Sequence, residues 1–151
     1  MAGLEIRKAT KADLAGLLEL YVHFGMQDAP CPPALAPAIF DDFERYTGSA
    51  IFVGFVDGVM VCSCALVVVP NLTRLGTPYA LIENVVTHGD YRTRGFGTAI
   101  LDVACEQAWE HQCYKVMLMT GSREPKTLSF YESAGFAQSK VGFQKRRKIA
   151  K

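Results

Sequence analysis

The chain has 151 residues, half of them apolar and about a fifth charged, with a formal net charge of +1. That length suits a single domain over residues 1–151 with a core of its own, and the apolar share excludes a disordered chain. A charge so balanced gives no reason to expect nucleic acid or an anionic membrane as a partner.

"MAGLEIRKAT" lacks the long apolar stretch of a secretion signal, and no run reaches the roughly 18 apolar residues of a membrane span. A cytoplasmic location is expected, which leaves the sequon at Asn71 without a use. "LEIRKA", Leu4 to Ala9, alternates and reads as a first strand. Thr10 is an N-cap type, with Asp13 in the place of a capping-box partner. Leu14, Leu17, Leu18 and Tyr21 then recur at helical spacing. Gly25 to Pro37 is too rich in proline for regular structure and is long for a connector, as functional loops often are. "AIFDDFERY" suits a second helix.

Asp57-Gly58 separates two apolar runs, Ala50–Val56 and Val59–Val69, and is a strong hairpin signal. A loop leads to a fourth strand, Tyr79 to His88. A helix follows with Leu101, Ala104, Cys105 and Ala108 on one face, then a fifth strand, Tyr114 to Thr120. Pro125 and Gly135 bracket a last helix, and Phe136 to Lys145 supplies one or two final strands. The fold class is α/β, a mixed sheet with helices on its faces, the fourth and fifth strands parallel across the helix between them. The five cysteines read as reduced, buried thiols, and His23, His88 and His111 show no zinc-like spacing with them, so no metal is expected. "QKRRK", Gln144 to Lys148, reads as a solvated tail.

The informative stretch is "VVTHGDYRTRGFGTAIL", Val85 to Leu101. A strand ends, glycines follow and a helix starts, where backbone N–H groups lack intrahelical partners and the helix dipole is positive. Arg92 and Arg94 add full charges, Gly95 and Gly97 let an anion approach the backbone, and Thr98 adds a hydroxyl. The turn suits a diphosphate. It is not a Walker A loop, because Thr98 and Ala99 stand where Lys and Ser/Thr are needed. Gly95-Phe96-Gly97 begins a dinucleotide fingerprint, but Ile100 takes the third glycine's place.

Arg92-Thr93-Arg94-Gly95-Phe96-Gly97 resembles the coenzyme A diphosphate loop of the GNAT superfamily of N-acetyltransferases. "SFYESAGF", Ser129 to Phe136, and the element order extend the resemblance over nearly the whole chain. "IENVV" and "CYKVMLMT" are similar to the glucosamine-6-phosphate N-acetyltransferase branch. The resemblance implies the GNAT fold, with about six or seven strands and four helices, and direct attack of an amine on acetyl-CoA. Tyr131 then matches the tyrosine that protonates the departing thiolate, with Phe130 beside it at the cofactor. A phenol suits the task, its reference pKa of about 10 lying near that of an alkyl thiol.

Glu83 is the base candidate, acting through water, or else a salt-bridged or edge glutamate. A carboxylate amid apolar strand residues is expensive without a purpose. Alternation places it on one face with Leu81, Val85 and Thr87 unless a bulge intervenes. A main-chain N–H near Val85 or Val86 would meet the oxyanion. Backbone from Val86 through Thr87 to His88 would pair with the pantetheine arm like an added strand. Two positions depart from the family. Asn84 replaces an acid often seen in the amino-sugar branch and is a candidate substrate hydrogen-bonder. Glu124 stands where many relatives place an asparagine that contacts the cofactor, and neighbouring Arg123 is a candidate for an acidic group on the substrate.

The expected activity is transfer of an acetyl group to the primary amine of a small molecule. A protein acetyltransferase and an acyl-CoA-binding module without transfer are the alternatives. A homodimer through the last strands is a further expectation.

Overall fold

The computed structural model describes residues 3–25 and 28–148. Met26 and Gln27 of the proline-rich loop lie outside the described residues. The chain forms two compact units, Met1–Leu118 and Met119–Lys151.

The first unit holds five strands, β1 (Glu5–Lys8), β2 (Ala50–Val56), β3 (Val59–Val69), β4 (Tyr79–Thr87) and β5 (Val116–Met117), and three helices, α1 (Leu14–Tyr21), α2 (Ala36–Glu44) and α3 (Phe96–Glu110). Strand order follows chain order. The first three pairings are antiparallel and β4–β5 is parallel, as a crossover by α3 requires. The β2–β3 turn is Asp57-Gly58 with both residues at positive φ, +48° and +78°, the twist a two-residue hairpin needs.

One face of the sheet is covered by α1 and α2, where Leu17, Phe40 and Val53 form a cluster with Ala9. The other face packs on α3, through buried Ile100, Leu101, Ala104 and Ala108. Cys62 and Cys64 lie on this second face, and the Cys64 thiol reaches the Ile100 carbonyl at 3.8 Å. Burial pushes both thiols up to about 12, so they are inert packing groups. Cys113 is buried too, whereas Cys31 and Cys105 are only partly so. No helix among the described residues is long and apolar enough to cross a membrane.

The second unit contains α4 (Pro125–Ser133), with Pro125 in its first turn and Gly135 at φ +96° after its end. Two expectations fail towards the C-terminus. β5 is two residues long rather than Tyr114–Thr120, pairing only with Ala80 and Leu81. The final strands from Phe136 to Lys145 do not form among the described residues. Beyond Phe136 the apolar side chains stay out: Val141 is 84% exposed and Phe143 95%. The Ser139 N–H turns back to the Ala137 carbonyl instead of joining a ladder. Among the described residues, five strands stand where six or seven were expected.

Candidate active site

The decisive feature of β4 is a bulge. Ala65 pairs with Glu83 and Ser63 with Val86, so Cys64 alone faces two residues, Asn84 and Val85. Asn84 sits at φ +53°, a left-handed conformation that asparagine tolerates better than most residues. The extra residue resets the alternation. Up to Glu83, odd positions share the α1 face with Ala65. Beyond the bulge Val86 takes that face, and Thr87 pairs with Cys62 on the other. Glu83 therefore shares its side with Leu81 and Val86, not with Val85 and Thr87 as plain alternation predicts. Its side chain is exposed, as is that of Asn84, so the burial cost expected of a mid-strand carboxylate is absent. Val86 is buried, while Val85 and Thr87 are half-buried. Because β5 pairs with β4 only at Ala80 and Leu81, the edge of β4 from Ile82 to Thr87 has no strand partner on that side among the described residues.

β4 runs into a single 3₁₀ turn, Gly89–Tyr91, capped by the His88 ring, whose Nδ1 accepts the Asp90 N–H at 3.1 Å. The loop after it is held by its own arginines. Arg92 Nε donates to the Thr87 carbonyl at 3.3 Å, and Arg94 Nη2 to the Asp90 carbonyl at 3.1 Å. The Arg94 guanidinium lies 5.1 Å from the centre of the Tyr91 ring. Thr93 and Gly95 adopt positive φ, +61° and +82°, folding the loop sharply into α3. At Thr93 that conformation costs about 1 kcal/mol, which the arginine bonds offset. Gly95 is the N-cap of α3, and no side chain caps the helix. Phe96 is buried and anchors the first turn, while Gly97 and Thr98 stay half-buried. The mouth of a 15-residue helix thus presents uncapped amides flanked by two exposed, tethered guanidinium groups. Such a site favours anions.

In the second unit, Phe130 and Tyr131 stack edge-to-face at 4.9 Å and Phe136 meets Tyr131 at 6.4 Å. Burial raises the Tyr131 pKa, which disfavours the phenolate form. Arg123 is exposed on the loop before α4, where the Ser122 hydroxyl accepts the Glu124 N–H and bonds Thr127.

One participant escaped the sequence reading. His23, in the 3₁₀ turn Val22–Phe24 that follows α1, accepts the Gly89 N–H on Nδ1 at 3.1 Å. The two residues are far apart in the chain, and no local pattern links them.

Residues 14–136 match the acetyltransferase (GNAT) family. A glucosamine 6-phosphate N-acetyltransferase of Trypanosoma brucei brucei is 35% identical over 135 residues, covering 88% of each chain. A solved putative acetyltransferase from Agrobacterium tumefaciens is 45% identical with a TM-score of 0.88, over 95% of this chain and 99% of its own. A Trypanosoma brucei acetyltransferase structure is 32% identical with a TM-score of 0.81, over 97% of this chain and all of its own. The strand broken before a glycine-arginine loop, the open helix mouth and these likenesses agree: this chain belongs to the GNAT family of N-acetyltransferases.

Proposed function

We propose that the chain transfers the acetyl group of acetyl-CoA to the primary amine of a small polar molecule, with an amino sugar phosphate as the first candidate. The observation that carries this reading is the bulge at Asn84 and Val85, which breaks the β4 ladder just ahead of the uncapped mouth of α3. The diphosphate is gripped by the amides of Gly95 to Thr98, with Arg92 and Arg94 supplying charge and Thr93 lining the turn. The pantetheine arm runs along the open edge of β4 at Val86 and Thr87, as an added strand would. A main-chain N–H freed at Val85 polarises the thioester carbonyl.

The chemistry is then a single displacement. The ammonium loses a proton to Glu83 through water. The amine nitrogen bonds to the acyl carbon, the carbon–sulfur bond breaks, the thiolate takes a proton from Tyr131, and the new amide nitrogen sheds its remaining extra proton, which restores the phenol. A phenol kept neutral by burial is suited to that step. Asn84 and Arg123, both exposed and polar, are the substrate-binding candidates. The amino-sugar choice is supported by the curated relative's name and by the "IENVV" and "CYKVMLMT" stretches.

The test is thiol release from acetyl-CoA with amino sugars, their phosphates, other small amines and lysine peptides. Turnover on an amino sugar phosphate supports the reading. Turnover on peptides alone makes the chain a protein acetyltransferase, and acetyl-CoA binding without turnover on any amine makes it a binding module.

A further inference from the structure

We propose that His23 is a positioning residue for coenzyme A: it holds the first peptide of the β4–α3 loop from across the sheet, and so sets the loop's geometry for the diphosphate. The inference rests on reading residues 92–97 as the diphosphate site.

The bond is specific in kind. A backbone N–H can only donate, so the Nδ1 of His23 that meets the Gly89 N–H at 3.1 Å must carry a lone pair. The ring is therefore neutral, with its proton on Nε2. Partial burial first, then the neighbouring His88 and Arg92, lower its pKa from the ordinary value, with Asp90 opposing, which favours that neutral form. His23 does not act alone. Its ring lies 4.1 Å from that of His88, His88 meets Tyr91 edge-on at 5.3 Å, and Tyr91 is 6.5 Å from Phe96, the first residue of α3. A continuous file of rings thus runs from the 3₁₀ turn after α1 to the helix mouth, with Arg94 resting on Tyr91. His23 and His88 also border one cleft of about 490 Å³ between α1 and the β2–β3 hairpin, so this end of the file is open to solvent.

Because the bond needs only an acceptor at one place, a replacement can keep it or remove it. Asparagine brings its Oδ1 near the position of Nδ1, whereas leucine fills similar space without an acceptor. Titration calorimetry with coenzyme A should show His23→Leu weakened roughly fivefold, about the worth of one hydrogen bond, and His23→Asn within about twofold of wild type. Unchanged affinity in His23→Leu overturns the proposal, as does His23→Asn binding as weakly as His23→Leu. Arg92→Ala and Gly97→Asp in the same assay separate the two readings. If both bind like wild type, the diphosphate site is wrong and the proposal falls with it. If they lose affinity while His23→Leu does not, only the role of His23 falls. A measurement on wild type needs no variant: ¹⁵N chemical shifts at neutral pH should report the Nε2–H tautomer of His23, and the Nδ1–H tautomer would overturn the assignment.

Discussion

Two helix entrances in this molecule are built in opposite ways. At the 3₁₀ turn Lys11–Asp13 that leads into α1, the Asp13 carboxylate accepts the Thr10 N–H at 2.7 Å and both terminal guanidinium nitrogens of Arg7 at 2.7 and 2.8 Å. The protein closes that entrance with its own anion, which Arg7 and the Thr10 N–H hold down at a pKa of about 2 despite burial. At the start of α3 the cap is a glycine, no side chain bonds the free amides, and the nearby charges are cationic. Both ends have the same unmet need for negative charge. The difference is that one is satisfied from within and the other is available to a ligand.

The hardest way to break the contrast is to give the open entrance its own carboxylate. Gly97→Asp should weaken coenzyme A binding by on the order of 10²-fold, through like charge beside the diphosphate. It should also raise the unfolding midpoint slightly, because an acid in the first turn of a helix is worth about 0.5 kcal/mol. Calorimetry and a thermal melt on the same sample check both halves, and a loss of stability together with intact binding would reverse the assignment. Tyr131→Phe sharpens the comparison by separating grip from chemistry. Turnover should fall roughly 10²-fold with coenzyme A affinity unchanged. Arg92→Ala removes a guanidinium from the open entrance without filling it. A loss of about tenfold in affinity is expected, with the gap to wild type shrinking as salt rises.

The closed entrance gives the smallest effect. Asp13→Asn should cost about 1 kcal/mol of stability and leave coenzyme A affinity as it was, measured by denaturant melts and calorimetry. The same carboxylate sets a pH dependence. Its folded pKa lies below the unfolded value near 3.8, so its contribution is complete above about pH 4 and is lost as pH falls through about 2. Melts between those limits should converge for wild type and variant.

Much of this was legible in the chain itself. Asp57-Gly58 announced its hairpin, Thr10 and Asp13 their capping arrangement, and Arg92 to Gly97 the turn into α3, because each depends on residues close together in sequence. What was hidden depends on partners brought from afar. The phase change in β4 requires knowing that Ser63, not its neighbour, faces Val86. Asn84 was the local trace of it, an asparagine in a run of strand formers. The missing strands after Phe136 carry β-prone residues, yet a strand needs a ladder partner and a face to bury, and neither is written in ten residues. The bond from His23 to Gly89 has no sequence signature at all.

The single added residue in β4 has one more consequence. It gives the strand two reading frames, one serving the helix α3 side through Ala80 and Ile82, the other starting afresh at Val86. Deleting Asn84 would merge the frames: the ladder with β3 would run unbroken, the fold would keep its order, and the residue now left unpaired would be consumed by it. A chain shortened by that one residue should be a sturdier protein and a poorer catalyst.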